Sequence, residues 1–441
     1  MNGTGGPDRK WGRVWVVGAS VLAVVAAGGV AYGVLGRDEV PKASVGASVT
    51  PSATGAVVSA EELAEQKMAA GIDVALKGRA AALQSGTLAQ FLAYSDPKNV
   101  KQLERDRQVF ANLRLIGMKQ VSYLRQLSFT PELRPKLGKN ARAVRVKMLT
   151  QIAGIDPAPR LTQLGFALVE RGGRWLVVDD DDAEAGERGD GREPWEIGPI
   201  EVSRGRGVLV ISSPGDGENG RRLVKEALAA VPAVQAATKR AQAGILVVAM
   251  AGARSWDQTT ITGGHPADAV AIPNFTPTNA EATEYKVTAS RIVINPTGRK
   301  KTDRFLLAHE FVHAAMAPLG DGAPIWLVEG YAEYVQYRLL ERSNYSDWVA
   351  GERRQFRSTA RKSLVVLPID GVFHGDYDES SYGIAWIIVE HLVKKYGQST
   401  VNAFYAELAK GLDDPALRDQ ALLKYFKLTD AALVAAVKKA S

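Results

Sequence analysis

The sequence predicts an α+β protein, and three patterns lead there. Residues 61–116 carry helical periodicity, after which residues 141–180 alternate or run apolar across a Gly-Gly turn. Residues 206–295 read as a series of buried strands, and helical patterns follow to the end of the chain. Ahead of both lies Val14 to Leu35, 22 residues without one charge. Helices grouped with short strands, rather than one repeating unit, are the mark of α+β organisation.

The N-terminal run comes first. As a helix it is about 33 Å long, enough for a hydrocarbon core of about 30 Å. Trp15 and Tyr32 stand near its ends, where interfacial aromatics belong. It is longer than the apolar core of a cleaved signal peptide. The sequence therefore predicts a cytoplasmic tail at 1–13, an uncleaved transmembrane helix at 14–35 and a flexible linker at 36–60. Arg9, Lys10 and Arg13 precede the run, and Arg37 and Lys42 follow it. This modest bias expects a single-pass protein of the cell membrane, with the N-terminus inside and the body outside.

Residues 61–185 form a small α+β domain in this reading. Ser59 with Glu61 and Glu62 opens a helix through Leu63, Met68, Ile72 and Leu76. A second helical run covers 98–116. ARAVRVKML (141–149) alternates apolar and basic residues, as a half-exposed strand does. LTQLGFALVE (161–170) and RWLVVDD (174–180) flank Gly172-Gly173, a strong hairpin signal. This closing hairpin resembles the NTF2-like cone fold. The acidic run from Asp179 to Asp182 lacks the spaced pattern of a calcium loop and is expected to be a solvated linker.

Composition then narrows the chemistry. The 441 residues include no Cys, which removes disulfides, thiol nucleophiles and Cys-held metals. Any imidazole chemistry lies with His265, His309, His313, His374 or His391. The net charge of +7 is mild for this length and predicts no nucleic-acid partner.

The chemistry is expected in residues 195–441. RGVLVIS (206–212), ILVVAM (245–250), DAVAIP (268–273) and KVTASRIVIN (286–295) read as strands, with a helix from about Gly220 interrupted near Pro232. DRFLLAHEFVHAAMA (303–317) then has helical periodicity and contains HEFVH. Residues four apart share a helix face, so His309 and His313 can both reach one zinc ion. Glu310 lies to the side, placed to take a proton from a metal-activated water. PIWLVEGYAEYV (324–335) follows, with its Glu329 sixteen residues after His313. It sets Glu329 and Glu333 one turn apart, and either carboxylate is a candidate third ligand.

HEFVH followed by WLVEGYAEY resembles the gluzincin metallopeptidases of the peptidase MA-like kind, and WLVEGYA is close to the WLNEGFA phrase of the membrane aminopeptidases. The likeness covers roughly residues 195–400 and implies a zincin-like domain of mixed sheet and active-site helices. It implies Zn²⁺ held by His309, His313 and Glu329, with Glu310 as base and Glu333 bonded to a ligating His. It also implies a Tyr near the start of a later helix that donates to the oxyanion. Tyr382, in SSYGIAWIIVEHLVKKYG (380–397), resembles that residue, with His374 and Tyr377 as rivals. His391 reads as a packing or surface residue, and His265 has no partner in sequence. The resemblance further implies that the strand at 286–295 pairs with an extended peptide substrate. The GxMEN phrase by which the aminopeptidases grip a free N-terminus is absent. The expected function is therefore a membrane-anchored zinc metallopeptidase, an endopeptidase rather than an aminopeptidase. A zinc-containing binding or sensor protein without peptide turnover is the alternative.

Overall fold

The structure, a computed structural model, describes residues 59–130, 141–180, 193–240, 244–252, 256, 268–373, 379–411 and 415–441. The expected membrane helix, almost all of the linker, His265, His374 and Tyr377 lie outside the described residues. No helix among the described residues is long and apolar enough to cross a membrane.

The first helix, α1 (Ala60–Ser85), begins at a capping box: the Ser59 hydroxyl accepts from the Glu62 N–H, and the Glu62 carboxylate accepts from the Ser59 N–H. The short α2 (Leu88–Leu92) and then α3 (Val100–Ile116) follow, and Gly117 ends α3 in the left-handed region, at φ 74°. Four antiparallel strands then form a meander: β1 (Met118–Thr130), β2 (Ala141–Ile152), β3 (Arg160–Arg171) and β4 (Arg174–Asp179). β1 has no counterpart in the sequence reading, because MKQVSYLRQLSFT mixes polar residues into both faces.

Two expectations for this half change. The basic positions of β2 are not simply solvent-facing: Lys147 is buried, and its Nζ donates to the Ala282 carbonyl at 2.5 Å. The acidic run does not start as a solvated linker either. Asp179 and Asp180 both pair with Arg105 of α3, at 2.8 and 3.0 Å.

After the short helix α4 (Pro194–Ile197) comes a mixed five-stranded sheet. Its members are β5 (Glu201–Gly205), β6 (Val208–Ser212), β7 (Ile245–Ala249), β8 (Ala269–Pro277) and β9 (Tyr285–Ile294), in the order β5-β6-β7-β9-β8. β6, β7 and β9 run parallel, and the edge strands β5 and β8 are antiparallel to their neighbours. VLVIS and ILVVA are buried throughout, as parallel strands covered on both faces should be. The crossover between them is α5 (Gly217–Thr238), which runs unbroken through Pro232. Pro232 faces solvent, where water can satisfy the carbonyl that loses its partner.

The position of β9 corrects a second expectation. It is an interior strand, bonded to β7 over Arg291–Val293 and to β8 along its length. Over Arg291–Val293, with neighbours on both sides, it cannot accept a substrate strand; its first part, Tyr285–Ser290, pairs with β8 alone among the described residues. The nearby edge strand is β8, whose one strand neighbour among the described residues is β9.

Helices complete this half: α6 (Arg304–Met316), α7 (Ile325–Glu341), α8 (Ser346–Ser363), α9 (Glu379–Tyr396), α10 (Gln398–Leu408), α11 (Pro415–Phe426) and α12 (Asp430–Ala440). A single apolar core extends from Ile72 of α1 to Val437 of α12 and so runs through both halves. Polar contacts cross the same boundary. Asn112 donates to the Trp195 and Gly198 carbonyls, both at 2.8 Å. Glu193 lies 3.4 Å from Arg160 of β3 and 3.8 Å from Arg291 of β9, and all three are buried.

Candidate metal centre

Two buried helices build the site. α6 starts at Asp303, whose carboxylate accepts from the Phe305 and Leu306 N–H groups at 3.0 and 3.2 Å. This cap starts the helix a turn and a half before His309, and every residue from Phe305 to His313 is buried. α7 follows Pro324, and its first N–H, on Ile325, donates to Asp370 at 3.0 Å. At the opposite face of α7, the Tyr331 hydroxyl meets the Ala237 carbonyl at 2.9 Å and Asn402 at 2.6 Å. These contacts fix the rotation of α7 and hence the direction of Glu329 and Glu333.

The structure brings His309, His313 and Glu329 together, each offering an atom within 4.8 Å of the others. One oxygen, Glu329 Oε2, lies 3.4 Å from His309 Nε2 and 3.6 Å from His313 Nε2. Glu333 occupies a different place, 3.6 Å from the far nitrogen, His309 Nδ1. The sequence left the two carboxylates open on spacing alone; in the fold only Glu329 faces both imidazoles. Glu310 is fully buried, and the Ala271 N–H of β8 approaches its carboxylate without closing a hydrogen bond.

Charge in this pocket is unevenly held. Burial pushes Glu310 up to about 8, opposed by His309 and reinforced by Glu329. Burial likewise raises Glu333 to about 7, with His309 opposing. Burial would raise Glu329 too, but His313 and His309 outweigh it and hold that carboxyl at about 2. For His309, burial is outweighed by Glu329 and Glu333, and its value is raised.

The donor atoms fit a metal ion. His309 Nε2, both nitrogens of His313 and both oxygens of Glu329 and Glu310 are buried without a hydrogen bond among the described residues. Each buried group left without a partner costs about 1–3 kcal/mol, and so many at one point suit a cation. Two imidazoles and a carboxylate are a zinc-type donor set.

A pH prediction follows for chelator-treated protein. Glu310 and Glu333 titrate higher in the fold than in an unfolded chain, so the folded state binds more protons from about pH 5 to 8. Stability is expected to fall as pH rises through that window. The raised His309 acts in the same sense, and the stabilising effect of the lowered Glu329 is lost only at much lower pH. Thermal melts of the metal-free protein at several pH values check this, and a flat profile contradicts it.

Tyr382 is buried in the first turn of α9, its ring edge-on to Phe373 at 5.1 Å. α9 lies against α7 at Gly330, the residue after Glu329. A Cβ there would stand 2.4 Å from the Ala385 carbonyl oxygen and 2.6 Å from its carbon. Gly330→Ala gains about 1 kcal/mol of helix propensity. The clash is with backbone, however, and overpacking costs about 1–3 kcal/mol. We expect net destabilisation, read as a lower urea midpoint; a higher midpoint contradicts this contact. His391, half-buried on α9, has no ring contact with His309 or His313, and is lowered by burial and by the nearby Lys395 and Arg357.

No family model matches the chain, and no curated protein matches it. Among solved structures, yeast LTA4 hydrolase in complex with bestatin is 11% identical, covering 52% of this chain and 37% of its own, with a TM-score of 0.36. Native yeast LTA4 hydrolase is 10% identical over 68% of this chain and 64% of its own, with a TM-score of 0.37. An M1 zinc metallopeptidase variant from Deinococcus radiodurans, bound to a Tyr-Ser-Ala substrate, is 14% identical over 72% and 60%, with a TM-score of 0.31. The chain spans less than two thirds of the length of each.

Proposed function

We propose that the chain is a zinc-dependent peptidase, anchored to a membrane by residues 14–35 and acting outside the cytoplasm. The observation that carries the zinc reading is the convergence of His309, His313 and Glu329, all buried, with unbonded donor atoms facing one another. Three protein ligands leave a position for water or substrate, as catalytic rather than structural zinc requires. Zinc, when bound, supplies a Lewis acid that acidifies water and polarises a carbonyl.

The chain's own groups supply the remaining parts. Glu310 takes the proton of the attacking water and returns it to the leaving amine. The Tyr382 hydroxyl donates to the carbonyl oxygen as negative charge builds there. Glu333, facing Nδ1 of His309, orients that ring so that Nε2 points toward Glu329 and His313. The edge strand β8, one residue of which approaches Glu310, is where an extended peptide backbone adds. With no GxMEN phrase to grip a free N-terminus, we assign endopeptidase activity. For the first unit, helices before an antiparallel meander, we propose an NTF2-like fold that serves as a packing partner.

Loss of the orienting carboxylate tests one part of this scheme. Glu333→Gln is expected to lower zinc affinity or activity by roughly 10–100-fold, measured by competition with a chelator and by peptide cleavage. An unchanged variant removes Glu333 from the scheme. The whole reading is tested on the purified full chain, by zinc content and by cleavage of a library of N-blocked and free peptides. Zinc without cleavage transfers the chain to the binding or sensor class. Absence of zinc after chelator-free purification ends the metal reading.

A further inference from the structure

The face of α6 opposite the metal ligands borders a cavity of about 360 Å³. Phe311 and Ala314, each one position beyond a site residue, line it from α6. Lys239 and Arg240, at the end of α5, supply two positive charges, and no carboxylate of the described residues lines the cavity. Neither cation has an ion-pair partner among the described residues. Arg240 Nε donates to the Ala315 carbonyl at 2.8 Å, which holds its guanidinium at the cavity wall.

The opposite wall is β9. Thr288 and Ser290 line the cavity, and Thr288 Oγ1 shares a 2.7 Å hydrogen bond with Thr276. Ser290 is only 8% exposed, and its hydroxyl has no hydrogen-bond partner among the described residues. Because β9 pairs with β7 only from Arg291 onward, this stretch has no strand neighbour on the β7 side among the described residues. An exposed Lys239, a half-buried Arg240, the buried Ser290 hydroxyl and the accessible apolar surface of Ala314 and Pro318 therefore meet in one space. Buried polar groups in native proteins are rarely left without a partner.

We propose that this cavity binds a small organic carboxylate, its head between Lys239, Arg240 and Ser290 and its apolar body on Ala314 and Pro318. The charges select an anion over a neutral molecule. The apolar floor selects an organic body over an inorganic ion.

The test uses the full chain with hexanoate as probe, and 1-hexanol and inorganic phosphate as controls, followed by titration calorimetry. Saturable 1:1 binding of hexanoate is expected, at least tenfold tighter than either control. Lys239→Asn, a residue that tolerates the left-handed φ of 57° there, and Ser290→Ala should each weaken it severalfold while leaving the melting temperature unchanged. Absence of saturable binding, equal affinity for hexanol or phosphate, or wild-type affinity in both variants overturns the proposal. A carboxylate could instead sit on the proposed zinc ion, so His313→Ala is included. Retention of hexanoate binding in that variant supports the cavity, and its loss overturns it. This outcome is independent of whether the chain cleaves peptides.

Discussion

Glu310→Gln is expected to lower peptide cleavage by roughly 10³-fold, the scale of a lost general base, while zinc content stays at the wild-type level. The substitution keeps the shape of the side chain and removes its ability to accept and return a proton. Glu310 is fully buried, and its carboxylate oxygens close no hydrogen bond among the described residues, only the Ala271 N–H approaching them, so little structural contact is lost with the charge. Its burial already disfavours the ionised form, so removing that charge should not destabilise the metal-free fold. The informative result is therefore dissociation of two measurements: turnover falls and metal does not. Equal turnover in variant and wild type would falsify the proton-transfer role.

The second large effect is on the metal itself. His313→Ala removes one of the two imidazoles that face Glu329 Oε2. Zinc affinity is expected to fall by more than about 100-fold, beyond the usual effect of a group that only supports a ligand. Stability reports the same loss. A ligand at 100 times its dissociation constant stabilises a fold by about 2.7 kcal/mol. Wild-type protein should therefore melt higher on zinc addition, whereas His313→Ala should not respond. A variant that retains the zinc-dependent shift would place the ion elsewhere. Activity alone does not separate these cases, so direct metal analysis accompanies the melts.

What was legible in the sequence was whatever depends on neighbours along the chain. His309 and His313 share a face of α6 because four residues make just over one helical turn, and the same arithmetic puts Glu329 and Glu333 on one face of α7. The hairpin across Gly172-Gly173 was readable for a similar reason, with both glycines at positive φ. What was not legible depends on partners distant in sequence. KVTASRIVIN reads as a strand, but nothing within it says whether it lies inside a sheet or at its edge. That is decided by β7 and β8, and β9 proves to be interior over Arg291–Val293. Lys147 looks like the exposed side of a strand until Ala282 arrives from the other half. The choice between Glu329 and Glu333 rested on resemblance until the rotation of α7, held by Tyr331, turned one toward both imidazoles and the other toward His309 Nδ1. The pairing of β1 was hidden because its polar residues do not alternate cleanly.

The buried trio of Arg160, Glu193 and Arg291 has a consequence for how the molecule can be cut. Arg291 belongs to the strand that leads into the metal helix, and its carboxylate partner comes from the segment that joins the two halves. A fragment starting after Glu193 would keep a guanidinium inside the sheet with its counter-charge gone, a change that typically costs about 3–5 kcal/mol. It would also lay bare the apolar surface that the first unit covers. The two halves are thus one cooperative folding unit, and excising the metal-bearing half as a minimal fragment should yield an insoluble or molten chain.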